Sequence, residues 1–166
     1  MGCLSISQIT SGKKMKTYKL PKMLRRDKKP DILRNINSIV VHHSASPTST
    51  TFKQIYRWHT IERGWSDVGY HFVILGDGTI QEGRDINKTG AHCRACNKTS
   101  VGICVTGNTN NVKPNPQQLE SLHDLLECLQ YDFNIEIEHV YTHREKGKTE
   151  CPGNHLQEWM NEYRSL

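Results

Sequence analysis

Hydrophobic and β-branched residues are grouped along this chain in short runs, which predict the strands of a sheet. The run Ile39-Val40-Val41 is β-branched throughout and directly precedes two histidines. Two further runs flank Gly76-Asp77-Gly78, a sequence typical of a hairpin turn. The predicted strands cover residues 39–41, 70–75, 79–81, 101–106 and 139–142.

Other segments repeat apolar residues at the spacing of a helix. Asn115-Pro116 supplies an N-cap and a first-turn proline, and the leucines that follow form one helical face to about Asp132. An earlier helix is predicted to end at Gly64, and a closing helix is predicted from Leu156 to Tyr163. The earlier helix carries its apolar stripe on Phe52, Ile55, Trp58 and His59.

Strands and helices therefore alternate, with one hairpin, which predicts an α/β fold with a single mixed β-sheet flanked by helices. Side chains alternate across a strand, so His42 and His43 should point to opposite faces, and only one of them can bind a given metal. By the same argument, Tyr70 and His71 should face opposite ways if their strand is regular.

The length of 166 residues fits one compact domain with an additional arm. Ten of the 22 Lys and Arg residues precede Ile36, against two acidic residues there, and the remainder of the chain carries about −3. We predict a basic N-terminal arm at residues 1–31 and a folded domain at 32–166. The basic charge thus belongs to the arm and not to the domain.

The basic arm has two interpretations. It could bind nucleic acid or another anionic surface, or it could be a solvated leader without a partner. The solvated leader is favoured. Because the arm is basic, an anionic cell-wall polymer is the first partner to test. The residues after Met1 lack the apolar core of a secretory signal, and Met15 is a plausible second start. No apolar stretch approaches the roughly 20 residues of a membrane span. We expect a protein that stays in the cytoplasm until it is released.

Six cysteines do not form an obvious disulfide framework. Cys104 lies in a predicted strand and Cys128 on a predicted helix, where free cysteine usually packs as a small apolar residue. Cys93 and Cys96 form a short Cys-Arg-Ala-Cys loop, which could be a reducible disulfide or a second metal clip. Without a secretory signal, reduced thiols are the default expectation.

Three residues far apart in the chain have the chemistry of one zinc site. These are His42, at the end of a predicted strand, and His143 and Cys151, in a late loop that ends Cys-Pro-Gly. Two imidazole nitrogens and one thiolate suit tetrahedral Zn²⁺, and three protein ligands leave the fourth position open. Open zinc sites are typical of hydrolases, because the ion polarises carbonyl groups and makes water more acidic.

Residues 39–159 resemble the zinc-dependent N-acetylmuramoyl-L-alanine amidases of the type 2 family, which includes phage lysozyme-like amidases and peptidoglycan recognition proteins. The resemblance rests on separated motifs that occur in the family's order. They are Val-His-His-Ser-Ala-Ser at 41–46, Gly-Trp-Ser-Asp-Val-Gly-Tyr-His-Phe at 64–72, Asp-Gly-Thr-Ile-Gln-Glu-Gly-Arg at 77–84, Gly-Ala-His at 90–92, Asn97 with Ser-Val-Gly-Ile at 100–103, and the segment from His143 to Cys151-Pro152-Gly153.

The resemblance implies a role for particular residues. One zinc ion per chain would be held by His42, His143 and Cys151, and Tyr70 is implied as a catalytic residue that hydrogen-bonds the attacking water or the developing oxyanion. The phage branch often has lysine two residues before the cysteine, where this chain has Thr149. Thr149 and its neighbour Lys148 are therefore both candidates for a second catalytic group. Implied contacts with substrate are His92, Asn97 and Arg84.

The implied activity is hydrolysis of the amide bond between the lactyl group and L-alanine in peptidoglycan, as in a phage or prophage endolysin. Two alternatives remain: a peptidoglycan-binding module without activity, and an amidase that also binds host RNA polymerase through its arm. The intact Tyr70 and Cys151 favour the enzyme. Nucleic acid and polymerase are not the expected partners, and a monomer is favoured.

Overall fold

The predicted alternation of strands and helices folds into one mixed β-sheet. The described residues of the computed structural model are 32–166, so the predicted basic arm at 1–31 lies outside them. The strands are β1 (Ser38–His43), β2 (Phe72–Ile74), β3 (Ile80–Glu82), β4 (Ser100–Val105) and β5 (Val140–Thr142). Their spatial order is β3-β2-β4-β1-β5. All pairs are parallel except β2 with β3, the predicted hairpin.

The three predicted helices are confirmed, and residues 32–166 contain two further short helices, one of them a 3-10 turn at Ile137–His139. The helices are α1 (Phe52–Arg57), which continues as a π-helical turn over Trp58–Glu62, then α2 (Pro116–Phe133), α3 (His143–Lys146) and α4 (Asn154–Arg164). The side chain of Asn115 caps α2 by accepting from the backbone N–H of Gln118 at 2.9 Å. Gly64 follows the π-helical turn at φ +68°, a conformation that favours glycine and ends the helix.

The sheet separates two apolar clusters. The larger cluster joins Ile39 and Val41 of β1 to α2 and α4, and it includes the leucines predicted from the helical pattern. The smaller cluster packs α1 against the opposite face, with Ile55 and Val73 fully buried. Because β1 alternates, His42 projects from the face opposite to Ile39 and Val41. The apolar face of α1 therefore lies on the same side of the sheet as His42.

The strand predicted at 70–75 is shorter than expected, since β2 begins at Phe72. Tyr70 and His71 precede it, with their carbonyl oxygens accepting from the N–H groups of Arg84 and Gly83 at 2.9 Å. Strict alternation therefore does not extend to these two side chains. The expectation that they face opposite sides of the sheet does not apply here.

Parallel strands place their carboxyl ends at one edge of the sheet, where sites in α/β folds usually form. His42 and His43 end β1, and His143 directly follows the neighbouring β5. The topology thus brings the first and last histidines of the predicted site to adjacent strand ends. Within residues 32–166, no helix is long and apolar enough to cross a membrane.

Candidate metal centre and cleft

The three predicted ligands converge at this edge of the sheet. One donor atom from each of His42, His143 and Cys151 lies within 4.8 Å of the other two. His42 Nδ1 is 3.6 Å from Cys151 Sγ. Among the described residues, this is the one place where three such donors gather. A second metal clip at Cys93 and Cys96 therefore has no third ligand within residues 32–166.

The donor set fits zinc in kind, and one of its donor pairs also fits zinc in spacing. A tetrahedral zinc ion lies about 2.0–2.1 Å from nitrogen and about 2.3 Å from sulfur, which separates those two atoms by about 3.6 Å. The distance between His42 Nδ1 and Cys151 Sγ equals that value. Two imidazoles and one thiol are also typical zinc ligands, whereas magnesium and calcium prefer oxygen ligands. Three ligands leave one coordination position for substrate or water.

His43 does not join this group, as the alternation of β1 predicts. Its Nδ1 accepts a hydrogen bond from the backbone N–H of Thr109 at 3.1 Å. Thr109 also donates its hydroxyl to the carbonyl oxygen of Pro152. One threonine therefore joins the end of β1 to the segment that carries Cys151. The peptide bond between Cys151 and Pro152 is cis.

His143 is placed by the short helix α3, of which it is the first residue. The carboxylate of Glu145 accepts from the backbone N–H of Thr142 at 2.7 Å, which closes the first turn. Arg164 of α4 donates to both oxygens of Glu145, at 3.0 and 2.9 Å. The last helix thus fixes the turn that presents the second histidine.

Burial sets the protonation of the ligand side chains. It lowers the pKa of His42 well below its ordinary value and also lowers the pKa of His143, so both imidazoles are neutral and able to bind a cation. It raises the pKa of the Cys151 thiol to about 12. A thiolate is costly in this surrounding unless a positive charge lies beside it, and a bound zinc ion would provide that charge.

An open cleft of about 540 Å³ leads to these residues. The ring of Tyr70 lies 5.2 Å from that of His42, and His59 packs between Tyr70 and Trp65 at 5.5 and 4.7 Å. Burial raises the pKa of Tyr70 well above its usual value, so its hydroxyl remains protonated and can donate a hydrogen bond. Arg63 lies 5.2 Å from the centre of the Trp65 ring at the rim of the cleft.

Residues 33–154 match the family described as N-acetylmuramoyl-L-alanine amidase, type 2. The chain belongs to this amidase family. The endolysin of Enterobacteria phage K11 is 36% identical over 127 residues, which cover 72% of this chain and 82% of that protein. The peptidoglycan-recognition protein SC2 of Drosophila simulans is 36% identical over 134 residues, covering 74% of this chain and 73% of that protein.

Solved structures of the amidase family share the fold. The endolysin amidase LysCS of Clostridium intestinale has a TM-score of 0.71 and 38% identity, covering 78% of this chain and 84% of that one. Drosophila PGRP-LB has a TM-score of 0.67 and 32% identity, covering 75% of this chain and 79% of that one. The mixed sheet flanked by helices is therefore the fold of amidases and recognition proteins alike.

The two candidates for a second catalytic group in this amidase-family site are placed differently. Thr149 lines the cleft, and its hydroxyl oxygen accepts from the N–H of Cys151 at 3.2 Å. Lys148 is exposed and does not line the cleft. The geometry favours Thr149, and a catalytic role for either residue stays a prediction.

The three predicted substrate contacts also differ. His92 lines the cleft and is buried, whereas Arg84 and Asn97 do not line it. The guanidinium of Arg84 donates to the carbonyl oxygens of residues 67, 68 and 89. The side-chain oxygen of Asn97 accepts from the N–H groups of His92 and Cys93, both at 2.8 Å. Both side chains support the cleft wall, and direct substrate contact by them stays a prediction.

Two residues that organise the site were not singled out from the sequence. Thr109 lies in a polar Gly-Asn-Thr-Asn loop whose pattern carries no signal for its contacts with His43 and Pro152. Arg34 is one of the ten basic residues that precede Ile36, so the sequence does not distinguish it from the residues of the arm. Its guanidinium instead donates to the carbonyl oxygens of Ile86 and Ser100, at 2.6 and 2.9 Å.

Proposed function

We propose that this protein is a zinc-dependent N-acetylmuramoyl-L-alanine amidase that hydrolyses the amide bond between the lactyl group and L-alanine in peptidoglycan. One observation carries the proposal: donor atoms of two histidines and a cysteine converge within 4.8 Å of one another, beside a protonated tyrosine in an open cleft. The names of the phage relatives, which are endolysins, support a role in lysis of the bacterial cell wall.

Each side chain has a defined part in such a reaction. His42, His143 and Cys151 would hold the zinc ion, which would supply Lewis acidity to polarise an amide carbonyl and to activate water near neutral pH. Tyr70 donates its hydroxyl proton in a hydrogen bond to the oxyanion that develops on the carbonyl oxygen. Thr149, whose oxygen already accepts from Cys151, keeps its own O–H available as a second donor.

The cleft also has features that suit an anionic peptide. Its lining residues include one permanent cation, Arg63, which lies against the ring of Trp65. No ion pair is formed by Arg63 among the described residues. A guanidinium supported on an aromatic ring can bind a carboxylate of the stem peptide, while the ring contacts its apolar atoms.

Mass spectrometry of digested peptidoglycan sacculi tests the reaction directly. We expect stem peptides with a free L-alanine amino group and intact glycan strands, loss of these products with a chelator, and recovery when zinc is added. Cys151→Ser should abolish the products, whereas Cys128→Ser, which removes a thiol from α2 outside the cleft, should not.

Other outcomes would identify other functions. Cut glycan strands or cut peptide bonds would contradict the amidase assignment. Binding to sacculi without any product would support the alternative of a binding module. This alternative is considered because relatives of the chain include peptidoglycan-recognition proteins. The polymerase-binding alternative would use the arm at 1–31, which lies outside the described residues, and a pull-down with and without the arm tests it.

A further inference from the structure

Both ring nitrogens of His42 are engaged in the structure. Nδ1 faces Cys151 Sγ at 3.6 Å, on the side where the three donor atoms converge. Nε2 lies 2.9 Å from Nδ1 of His92. A neutral imidazole that offers the lone pair of Nδ1 to a cation carries its proton on Nε2. His42 must therefore donate through Nε2, and His92 must accept through Nδ1.

The direction of this hydrogen bond continues through two further groups. With Nδ1 of His92 accepting, the proton of that ring is on Nε2, which lies 3.4 Å from the hydroxyl oxygen of Ser100. The Ser100 hydroxyl donates in turn to the backbone carbonyl of Cys96 at 2.7 Å. The series ends on a carbonyl, which can only accept. Each donor in the series thus has one acceptor.

The ring of His92 is held in one place by close packing. A Cβ atom at either Gly90 or Gly102 would overlap its imidazole, so only glycine allows the ring to occupy this position. The backbone N–H of His92 donates to Asn97 Oδ1 at 2.8 Å. Ring and backbone are therefore both fixed before any ligand arrives.

We propose that His92 is a positioning residue for the metal ligand His42. Its Nδ1 accepts a hydrogen bond from the N–H at Nε2 of His42, which keeps the Nδ1 lone pair of His42 free and sets the rotation of that ring toward His143 and Cys151. Partners of this kind typically change metal affinity or activity by about 10- to 100-fold when they are removed. The inference rests on the proposed zinc-dependent function and names the group that supports its first ligand.

A direct contact between His92 and substrate is the competing explanation, because His92 also lines the cleft. The two roles affect different quantities. A substrate contact changes KM and leaves zinc affinity unaltered, whereas a positioning residue changes zinc affinity in the absence of substrate. Zinc affinity without substrate therefore separates them.

Two substitutions at position 92 separate the contribution of the ring from that of the hydrogen-bond acceptor. His92→Phe fills the space without an acceptor, and His92→Asn retains an acceptor near the position of Nδ1. Zinc affinity is measured by competition with a chromophoric chelator, and ligand geometry by the visible absorption of the cobalt-substituted protein. We expect His92→Phe to bind zinc about 10- to 100-fold more weakly, with an altered cobalt spectrum, and His92→Asn to recover most of the affinity.

Two further variants keep the test decisive. His139→Phe, at an exposed histidine outside the cleft, should leave zinc affinity and the cobalt spectrum unchanged. Ser100→Ala removes only the outer member of the series and should weaken zinc binding less than His92→Phe does. If His92→Phe does not fold, Ser100→Ala and His92→Asn still report whether zinc affinity follows the acceptor.

The results distinguish this inference from the proposed function. Wild-type zinc affinity and an unchanged cobalt spectrum in folded His92→Phe would overturn the positioning role while leaving the amidase intact. A raised KM with unchanged zinc affinity would assign His92 to the substrate instead. A wild-type protein that binds no zinc would overturn both.

Discussion

The ring of Tyr70 lies 5.2 Å from the ring of His42, tilted by 54° against it. A protonated hydroxyl group, the proposed donor to an oxyanion, is therefore held beside a candidate metal ligand, even though the two residues belong to different parts of the chain. His59 packs on the other side of Tyr70, with ring centres 5.5 Å apart. The tyrosine is thus fixed between two imidazoles.

Removing the Tyr70 hydroxyl should affect the rate and not the metal. Tyr70→Phe keeps the ring contacts with His42 and His59 but loses the donor, so we expect kcat to fall about 10- to 1000-fold, which is about 1.4–4 kcal/mol in the barrier, with zinc affinity unchanged. Release of peptide from sacculi measures the rate. Tyr56→Phe, at a half-exposed tyrosine of α1, is the matched control. An unaltered rate would make Tyr70 a packing residue.

The buried imidazole of His71 should make the fold sensitive to acid. Its Nδ1 accepts from the N–H of Gly102 at 3.0 Å, and its Nε2 lies 2.9 Å from the carbonyl oxygen of Lys88. Burial lowers its pKa to about 4, with the charges of Arg34 and Arg84 acting in the same direction. The folded protein therefore resists a proton that the unfolded chain takes up below pH 6.5.

The sign of the effect follows from this difference in proton binding. Stability should fall as the pH drops from about 6.5 to about 4 and then level off, with His71 contributing up to about 3 kcal/mol. Denaturant unfolding at a series of pH values measures this. His71→Asn, which can still accept from Gly102, should have a shallower slope across the same window. An identical slope would show that other groups carry the acid sensitivity.

Arg34 should contribute to stability through its fork of N–H donors. Its guanidinium donates to the carbonyl oxygens of Ile86, Lys98 and Ser100 at 2.6, 3.1 and 2.9 Å. Arg34→Met retains the stem and removes all donors, so we expect a loss of about 2–4 kcal/mol in the free energy of unfolding. Arg34→Lys should recover only part of it, because ammonium lacks the planar fork.

The control for Arg34 lies at the next position. Asn35 is exposed, and Asn35→Ala should change the unfolding free energy by less than about 0.5 kcal/mol. Equal stability of Arg34→Met and the wild type would place Arg34 with the basic arm and not with the folded domain.

Cys93 and Cys96 should form a disulfide slowly under oxidising conditions. Their sulfur atoms lie 2.6 Å apart, and burial, together with the hydrogen bond to Cys93, raises the pKa of the Cys96 thiol to about 12. Thiolate is therefore scarce at neutral pH. With a small-molecule disulfide as oxidant, we expect two thiols to disappear and the rate to rise with pH.

Peptide mapping by mass spectrometry identifies the linked cysteines. Cys93→Ser should prevent the internal link without affecting the thiols at positions 104 and 128. An unchanged number of thiols after prolonged exposure at about pH 9 would exclude the disulfide interpretation of the Cys-Arg-Ala-Cys loop.

The spacing of apolar residues predicted the helices and strands that bury apolar surface. It did not predict α3, a short helix that positions His143 without burying an apolar face. The leucine face of α2 has a clear helical spacing, and α2 begins at the predicted Pro116. By contrast, α3 has four residues, His-Arg-Glu-Lys, with no apolar repeat, and its ends are set by Glu145 and Arg164. The ion pair between Glu145 of α3 and Arg164 of α4 joins two separate helices, so no local sequence pattern predicts it.

The candidate ligands were predictable because zinc chemistry restricts the residue types, and their motifs occur in a known order. The partners of those ligands were not predictable, because they depend on the register of the sheet. His42 and His92 are 50 positions apart and meet only when β1 and β4 pair. Arg84 and Asn97 show the converse: their motifs are recognisable, yet their side chains bind the backbone.

The two ends of the candidate metal centre are separated by 109 positions along the chain, from His42 to Cys151. An ion held by both ends closes a long loop, so it acts as a removable cross-link between the first strand and the C-terminal segment. Metal supply and resistance to unfolding are then thermodynamically linked. When zinc is withheld, we expect the last helix to exchange its amide hydrogens sooner than the central strands, so loss of the ion would weaken the fold as well as empty the proposed metal centre.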